Sequence, residues 1–386
     1  MVLQTVRHAL LICFLLSIFG NAVTGLSRTD GSEYVGKTVE SEDGDIYDCV
    51  DFYKQPAFDH PLLKNHSFHP QMKPTFQPQM IRNNDVSWEM NATETDIPLL
   101  KDGGCPQGTV PIRKMNKSSG ISGNNVHPQR YSKAKISNKA NVNVSGTILA
   151  VVQTKGNIGK VYNGVGATIS VYNPRVLPSQ YSSAEIMLKG GTDFITAGWT
   201  VNPIKYKDSK TRFFISTVAG DMHCFDSECG FVLVRSDYPL NFVLKPVSVR
   251  DGKIFVNKFF IYRDPTWGAW WLQFGMKNPP ITLGFWPQKI FKGLQQSATY
   301  AACGGEVYTP AGLQAPEMGT GYLPNYERDD AAFCRDYVVV NDKNTIVTVK
   351  DTEPYENSNF YGAIDQYNRP GHYVIFGGPA HVDGVS

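Results

Sequence analysis

The sequence predicts an all-β protein: an antiparallel β-sandwich preceded by a small, mostly extended N-terminal segment. Three observations carry this. From residue 142 onward, short runs rich in β-branched and aromatic residues recur, with Gly, Pro or Asn between most of them. The 386 residues include 35 Gly, 24 Pro, 19 Tyr and 21 Phe, a composition of turns and aromatic strands rather than of helices. Apolar residues make up 41% and charged residues 19%, which excludes a disordered chain.

Arg7 and His8 precede an apolar run over residues 9–19, and small residues follow around Ala22 and Gly25. This pattern predicts a secretory signal peptide over residues 1–25, too short to span a bilayer. No other segment has the length and apolarity of a span, so the expectation is a secreted protein, extracellular or delivered along the secretory route. Residues 27–48 are acidic and polar and read as loose. Residues 48–76 are dense in Pro and His and predict an extended wrap, with a short turn before Pro56. Residues 105–114 read as a short strand between breakers. Residues 115–141 are basic and rich in Ser, Asn and Gly, a linker of the kind proteases cut.

The expected strands then follow at 146–154, 166–172, 184–189, 195–201, 212–218, 231–235, 253–263, 269–274 and 281–286, with late ones at 337–340, 345–350 and 372–376. Residues 288–297 read as a short helix. The domain boundaries that result are 26–114 for the N-terminal segment, 115–141 for the linker and 142–386 for the sandwich.

Net charge is only +2, and neither zinc-finger spacing nor a helix-turn-helix pattern occurs, so nothing points to nucleic acid. The distribution is more informative. Residues 27–102 carry 14 Asp/Glu against 7 Lys/Arg, and residues 103–184 carry 10 Lys/Arg and no acid. Either the acidic arm is merely solvated, or it docks on the basic part and is later released.

Cys13 leaves with the signal peptide, and six cysteines remain, so disulfides are the default in an oxidising compartment. Of the fifteen pairings, Cys224–Cys229 would staple a hairpin, Cys303–Cys334 would join neighbouring elements, and Cys49–Cys105 would close the N-terminal segment. A metal site built from His223, Cys224 and Cys229 lacks a second pair of matching spacing. Sequons at Asn65, Asn91, Asn116 and Asn143 imply surface positions if glycosylated.

Zincin, nucleophile-elbow, aspartic-peptidase, papain-type, P-loop and dinucleotide patterns are all absent, and no cofactor is expected. Any chemistry must therefore rest on carboxylates, amides and hydroxyls. Two stretches stand out: GGTDFITAGWTVNP at 190–203, a strand with an interior glycine, and AACGGEVY at 301–308, with a glutamate after a Gly-Gly pair. They read as two halves of one site.

At this point the residues resemble a family. DCVDFYKQPAFDHPLL, MKP and GCPQGTVPIR are similar to the activation peptide of plant neprosin-type proteins. GATISVYNP, AGWTVNP, TRFF, WWLQFG, GFWP, GGEVY and MGTGYLP are similar to the neprosin domain that follows it. The resemblance runs from about Asp45 to Gly378. It implies a glutamic endopeptidase on a β-sandwich, made with an inhibitory pro-segment and cutting peptide or protein substrates after proline at acid pH.

In that family two glutamates share the work, one as general base on a water and one as donor to the oxyanion. One matches Glu306. The other falls where the family reads Glu-Ala-Gly-Trp, and here that position is Thr196. Threonine can donate a hydrogen bond but cannot share a proton with a carboxyl. Gln273 is a candidate oxyanion donor, because fungal glutamic peptidases use a Glu/Gln pair; Asp193, of odd number on its strand, should point away. Trp199 and Tyr308 are candidate substrate contacts. The resemblance also implies late cysteines that this chain lacks, and Cys303 and Cys334 stand in their place. The competing expectation is a catalytically degenerate module that binds peptide, cell-wall polymer or protein in the same cleft.

Overall fold

The computed structural model describes residues 35–78, 92–96, 100–114, 145–156, 159–228, 230–325, 331–367 and 371–379, all within one unit, Val35–Ser386. The expected signal peptide, the linker at 115–141 and the sequons at Asn91, Asn116 and Asn143 lie outside these residues. Asn65 is exposed.

Four strands belong to the N-terminal segment: β1 (Val35–Glu40), β2 (Ile46–Asp51), β3 (Ala92–Glu94) and β4 (Thr109–Arg113). Sixteen follow: β5 (Gly146–Thr154), β6 (Gly164–Ser170), β7 (Tyr181–Gly190), β8 (Asp193–Val201), β9 (Thr211–Ala219), β10 (Met222–Phe225), β11 (Val232–Leu233), β12 (Ile254–Arg263), β13 (Trp270–Phe274), β14 (Ile281–Trp286), β15 (Tyr300–Thr309), β16 (Ala332–Val340), β17 (Ile346–Thr348), β18 (Thr352–Glu356), β19 (Gly362–Gln366) and β20 (Tyr373–Gly377). The smaller of the two main sheets runs β10-β9-β8-β7-β15-β5-β18, and the larger runs β11-β14-β13-β12-β6-β16-β20-β19, with β17 on β16. Pairing is antiparallel except where β3 adds to β12 in parallel.

Strand periodicity sorts the smaller sheet into two faces. Ile148, Ala150, Val152, Ala184, Ile186, Leu188, Ile195, Ala197, Trp199, Phe213 and Ile215 join the main core against the larger sheet. The alternate positions Leu149, Val151, Met187, Phe194, Val218 and Ala302 form a separate apolar cluster on the opposite, outer face.

Several ties cross between the layers, among them one disulfide and two indole hydrogen bonds. Cys303 of β15 is bonded to Cys334 of β16. The Trp199 indole N–H donates to the Ser170 carbonyl at 2.8 Å, and the Trp286 N–H donates to Thr217 Oγ1 at 2.7 Å. Such bonds satisfy these two buried indole N–H groups, each of which would cost about 1–3 kcal/mol if left unpaired.

Two expectations are corrected. Residues 35–51 are a hairpin rather than a loose arm. Val39, Tyr47 and Cys49 alternate with charged residues and pack on Leu100 and Cys105, and the Cys49–Cys105 disulfide closes this small core. Residues 288–297 contain only a three-residue 3-10 turn, Gln288–Ile290. The N–H groups of Lys292, Gly293 and Leu294 donate instead to the buried Asp193 carboxylate at 2.5–3.2 Å, which holds the backbone out of a helix. Cys224 is disulfide-bonded, while Cys229 lies outside the described residues.

The segment after β2 wraps an edge of the larger sheet. The Gln55 amide accepts from Leu233 N at 2.8 Å and donates to Leu233 O at 3.3 Å, so one side chain imitates a neighbouring strand. Phe68 packs edge-on against Phe285 with centroids 5.1 Å apart. Thr75 donates through its N–H and hydroxyl to Asp264. Among the described residues, no helix is long and apolar enough to cross a membrane.

Candidate active site

The outer face of the smaller sheet is best followed row by row across its strands. Glu306 on β15 lies opposite Leu149 on β5 and Ser183 on β7; Ser183 lies opposite Thr200 on β8, and Thr200 opposite Arg212 on β9. The next row is Val151, Gly304, Glu185, Gly198 and Phe214. The row beyond is Gln153, Ala302, Met187, Thr196 and Ser216.

The middle row has one polar side chain, Glu185, between two glycines. Both glycines are required by close backbone approach. A Cβ at Gly198 would meet the Ala184 carbonyl oxygen at 2.0 Å, and one at Gly304 would meet the Ala150 oxygen at 2.4 Å. The result is a furrow running across the strands, with Glu185 in it, Glu306 on one bank and Thr196 on the other. An interior glycine in a strand was the sequence signal for such an approach, and the backbone that comes close is that of β7.

Glu306 is 2% exposed, Glu185 1% and Thr196 0%. The Tyr181 hydroxyl donates to Glu306 Oε1 at 2.7 Å. Tyr181 in turn stacks on Tyr308, with ring centroids 5.7 Å apart. Ser183 Oγ donates to Thr200 Oγ1 at 2.9 Å, and Thr200 donates to the Ser182 carbonyl. Carboxylate, phenol and hydroxyls thus share one face, which is the inventory that water activation and oxyanion binding need.

The sequence-predicted residues divide. Tyr308 lies beside Glu306 and is half-buried. Thr196 shares the face with Glu306, two strands across and four residues along in register. Gln273 lies in the other sheet, on β13, where its amide points to Tyr262 and Thr282 at 3.5 and 3.3 Å. Trp199 points into the core, fully buried, because its odd number puts it on the inner face. Asp193 also points away, as its parity requires, and anchors the 292–294 loop.

Sequence reasoning passed over Tyr181, Ser183 and Glu185. Two signals were present. YSSAEIML has the period that puts 181, 183, 185 and 187 on one face, and Glu185 is the first carboxylate after Asp102.

The N-terminal segment reaches the end of the Glu306 row. Arg212 is fully buried and holds Asp45, in the β1–β2 turn, through Nη1 at 2.6 Å and Nη2 at 3.1 Å. Arg212 also binds Asp208 at 2.6 Å, and Arg113 of β4 binds Asp45 at 2.8 Å. Lys245 adds a 2.9 Å pair with Asp43. Burial pushes the Asp45 carboxyl up, but hydrogen bonds and charge from Arg212, then Arg113, hold it net below its ordinary 3.8.

These features define a two-sheet antiparallel β-sandwich that carries a furrowed, carboxylate-bearing face and an N-terminal segment ion-paired to the edge of that face. The family profile described as Neprosin matches residues 178–379, more than half of the chain, and the Neprosin activation peptide matches residues 38–153. The chain belongs to the neprosin family, with the activation peptide ahead of the neprosin domain. Among solved structures it is similar to Scytalido-glutamic peptidase with a peptide-based transition-state analogue, at 9% identity and TM-score 0.33, covering 61% of this chain and 98% of that one. A second structure, of scytalido-glutamic peptidase with a transition-state analogue inhibitor, gives 11% and 0.35, covering 60% and 97%. SCP-B, a member of the Eqolisin family of peptidases in complex with the tripeptide Ala-Ile-His, gives 10% and 0.31, covering 60% and 97%.

Proposed function

We propose that this chain is a secreted pro-peptidase of the glutamic type, in which Glu306 is the general base and the loss of a carboxylate at position 196 slows peptide hydrolysis. The observation that carries the reading is the Glu306 carboxylate, buried on the furrowed face and oriented by the Tyr181 hydroxyl. A carboxylate so placed takes a proton from water as the water oxygen attacks the peptide carbonyl. Ser183, Thr200 and Tyr308 are the hydroxyls nearest along the strands for binding an extended peptide. Proline-containing peptides are the substrate class that the family resemblance suggests. Residues 35–114 are the pro-segment, docked by the Asp45–Arg212 pair.

A second reading, a binding module without hydrolysis, is favoured by Thr196, which cannot carry a shared proton. One experiment separates the two. The secreted protein, exposed to acid to release the segment, is incubated at pH 3–6 with proline-containing peptides. Slow cleavage that is abolished in Glu306→Gln supports the peptidase. Peptide binding without cleavage supports the module, and cleavage unaffected by Glu306→Gln removes Glu306 from the chemistry.

A further inference from the structure

We propose that His60 and His66 make the strap over residues 52–68 an acid-opened latch on the larger sheet. The latch concerns how this strap is held, and it stands whether or not the chain hydrolyses peptides.

The strap is three short 3-10 turns, Phe52–Lys54, Pro56–Asp59 and Pro61–Leu63, followed by chain without regular structure. Its apolar side is Phe52, Ala57, Phe58 and Leu63, all part of the main core. Both histidines are built into it through the same ring atom. His60 Nδ1 accepts from the Leu62 N–H at 3.1 Å and so caps the third turn. His66 Nδ1 accepts from the Phe68 N–H at 3.1 Å. A ring nitrogen that accepts carries no proton, so both imidazoles dock in the neutral Nε2–H form. An imidazolium has donors at both nitrogens and can make neither bond.

The surroundings disfavour an added charge. His60 is buried, and its Nε2 has no hydrogen-bond partner among the described residues. The His66 ring lies on Phe58, with centroids 3.7 Å apart and 18° between the planes, and stacks on Phe68 at 5.2 Å and Tyr53 at 6.1 Å. The Lys289 ammonium, 5.7 Å from the Phe68 ring centre, is the cation that acts on both histidines. The other charged or titratable groups around them are Tyr53, Lys54, Asp59, Lys64 and His69 on the strap, and Asp226 and Glu228 on the turn that packs against Pro56–Asp59. Lys205 pairs with both of those acids, at 3.8 and 2.8 Å. The neighbouring strands β11 and β14 bring no charge. Burial first, and then the Lys289 charge, hold both imidazoles below their ordinary 6.5.

A base lowered in the docked state supports docking above 6.5 and withdraws that support as pH falls through its lower docked value. The Asp45 carboxyl, held below 3.8, keeps its charge through that window. Acid therefore opens the strap first, withdrawing Phe68 from Phe285 and Gln55 from Leu233, while the hairpin stays ion-paired to Arg212. Release of the segment takes two steps at two different pH values.

Amide exchange and ring-nitrogen NMR of the full chain between pH 7.5 and 4.5 test this. Protection factors of Leu62 and Phe68, and of Leu233 beneath Gln55, should fall about 25-fold across the range, two hydrogen bonds at about fivefold each, with β7 and β15 unchanged. The ring-nitrogen shifts should show Nδ1 unprotonated in both histidines at pH 7.5. His60→Asn keeps an acceptor for the Leu62 N–H, as a capping asparagine does, and His66→Phe keeps the stack. Neither replacement can take a charge, so the double variant should hold its protection down to pH 4.5. Wild-type protection that is flat over the range overturns the latch, as does a proton on Nδ1 of either ring at pH 7.5 or a decline that persists in the double variant. The exchange and NMR arms on the wild-type chain decide the matter even if the double variant fails to fold.

Discussion

Asp45→Asn should loosen the N-terminal hairpin while leaving the sandwich intact. The substitution removes a carboxylate held by two Arg212 contacts at 2.6 and 3.1 Å and one Arg113 contact at 2.8 Å. Arg212 is fully buried and keeps Asp208, so its charge is not orphaned. Breaking a buried pair costs about 3–5 kcal/mol; Asp45 is near the surface and Arg212 retains one partner, so about 3 kcal/mol is the working figure. That corresponds to about 100-fold in the equilibrium for local opening.

Amide hydrogen exchange is the assay. Protection of β1, β2 and β4 should fall by about two orders of magnitude in Asp45→Asn, with β7, β8 and β15 unchanged. The pH dependence has a definite sign. A carboxyl lowered in the folded state contributes above 3.8 and loses that contribution as pH drops through its lower folded value. Wild-type protection of the hairpin should therefore hold from pH 7 to about 4 and decline below 3.8, and this decline should be absent in the variant. A loss of less than threefold, or an equal loss across both sheets, would refute the view that this pair docks the segment.

Two further outcomes test the scaffold. Replacing both Cys303 and Cys334 by Ala opens a bridge between residues 31 apart in sequence, worth ~3.7 kcal/mol by loop entropy, and calorimetry should show a Tm about 5 °C lower. A change under 1 °C would mean that the other interlayer contacts suffice. Gly198→Ala places a Cβ 2.0 Å from a carbonyl oxygen that cannot move without parting β7 from β8, so stability should fall by about 3 kcal/mol. Gly156→Ala, with nothing within 4 Å, is the control and should unfold like wild type.

The strands were legible where apolar runs are short and well punctuated, as in β5, β8, β9 and β12. The β10, β18 and β19 strands were not, because MHCF, TEPYE and GAIDQ lack a sustained apolar alternation. Face was legible from parity: Thr196 and Asp193 point to opposite sides as their numbers require. Register and sheet membership were not. Nothing near Glu306 in sequence says that it lies opposite Ser183 and Thr200, and nothing near Gln273 says that its strand joins the other layer. Glu306 meets Ser183 across more than 100 residues of sequence, and the strand of Gln273 joins its sheet through distant β12–β6 pairs such as Phe260–Gly166. The two motifs were therefore visible, while Tyr181 and Ser183, the β7 neighbours of Glu306, lay on a strand that carried no motif at all.

The Gln55 contact bears on how a form of the protein without its N-terminal segment would behave. In the intact chain that single amide occupies both backbone hydrogen-bonding groups of Leu233, on the outermost strand of the larger sheet. Loss of residues 35–114 leaves this rim open and uncovers Phe285 beside it, a strand margin able to recruit another chain. A form lacking residues 35–114 is therefore expected to self-associate on storage, which light scattering against the full chain would measure.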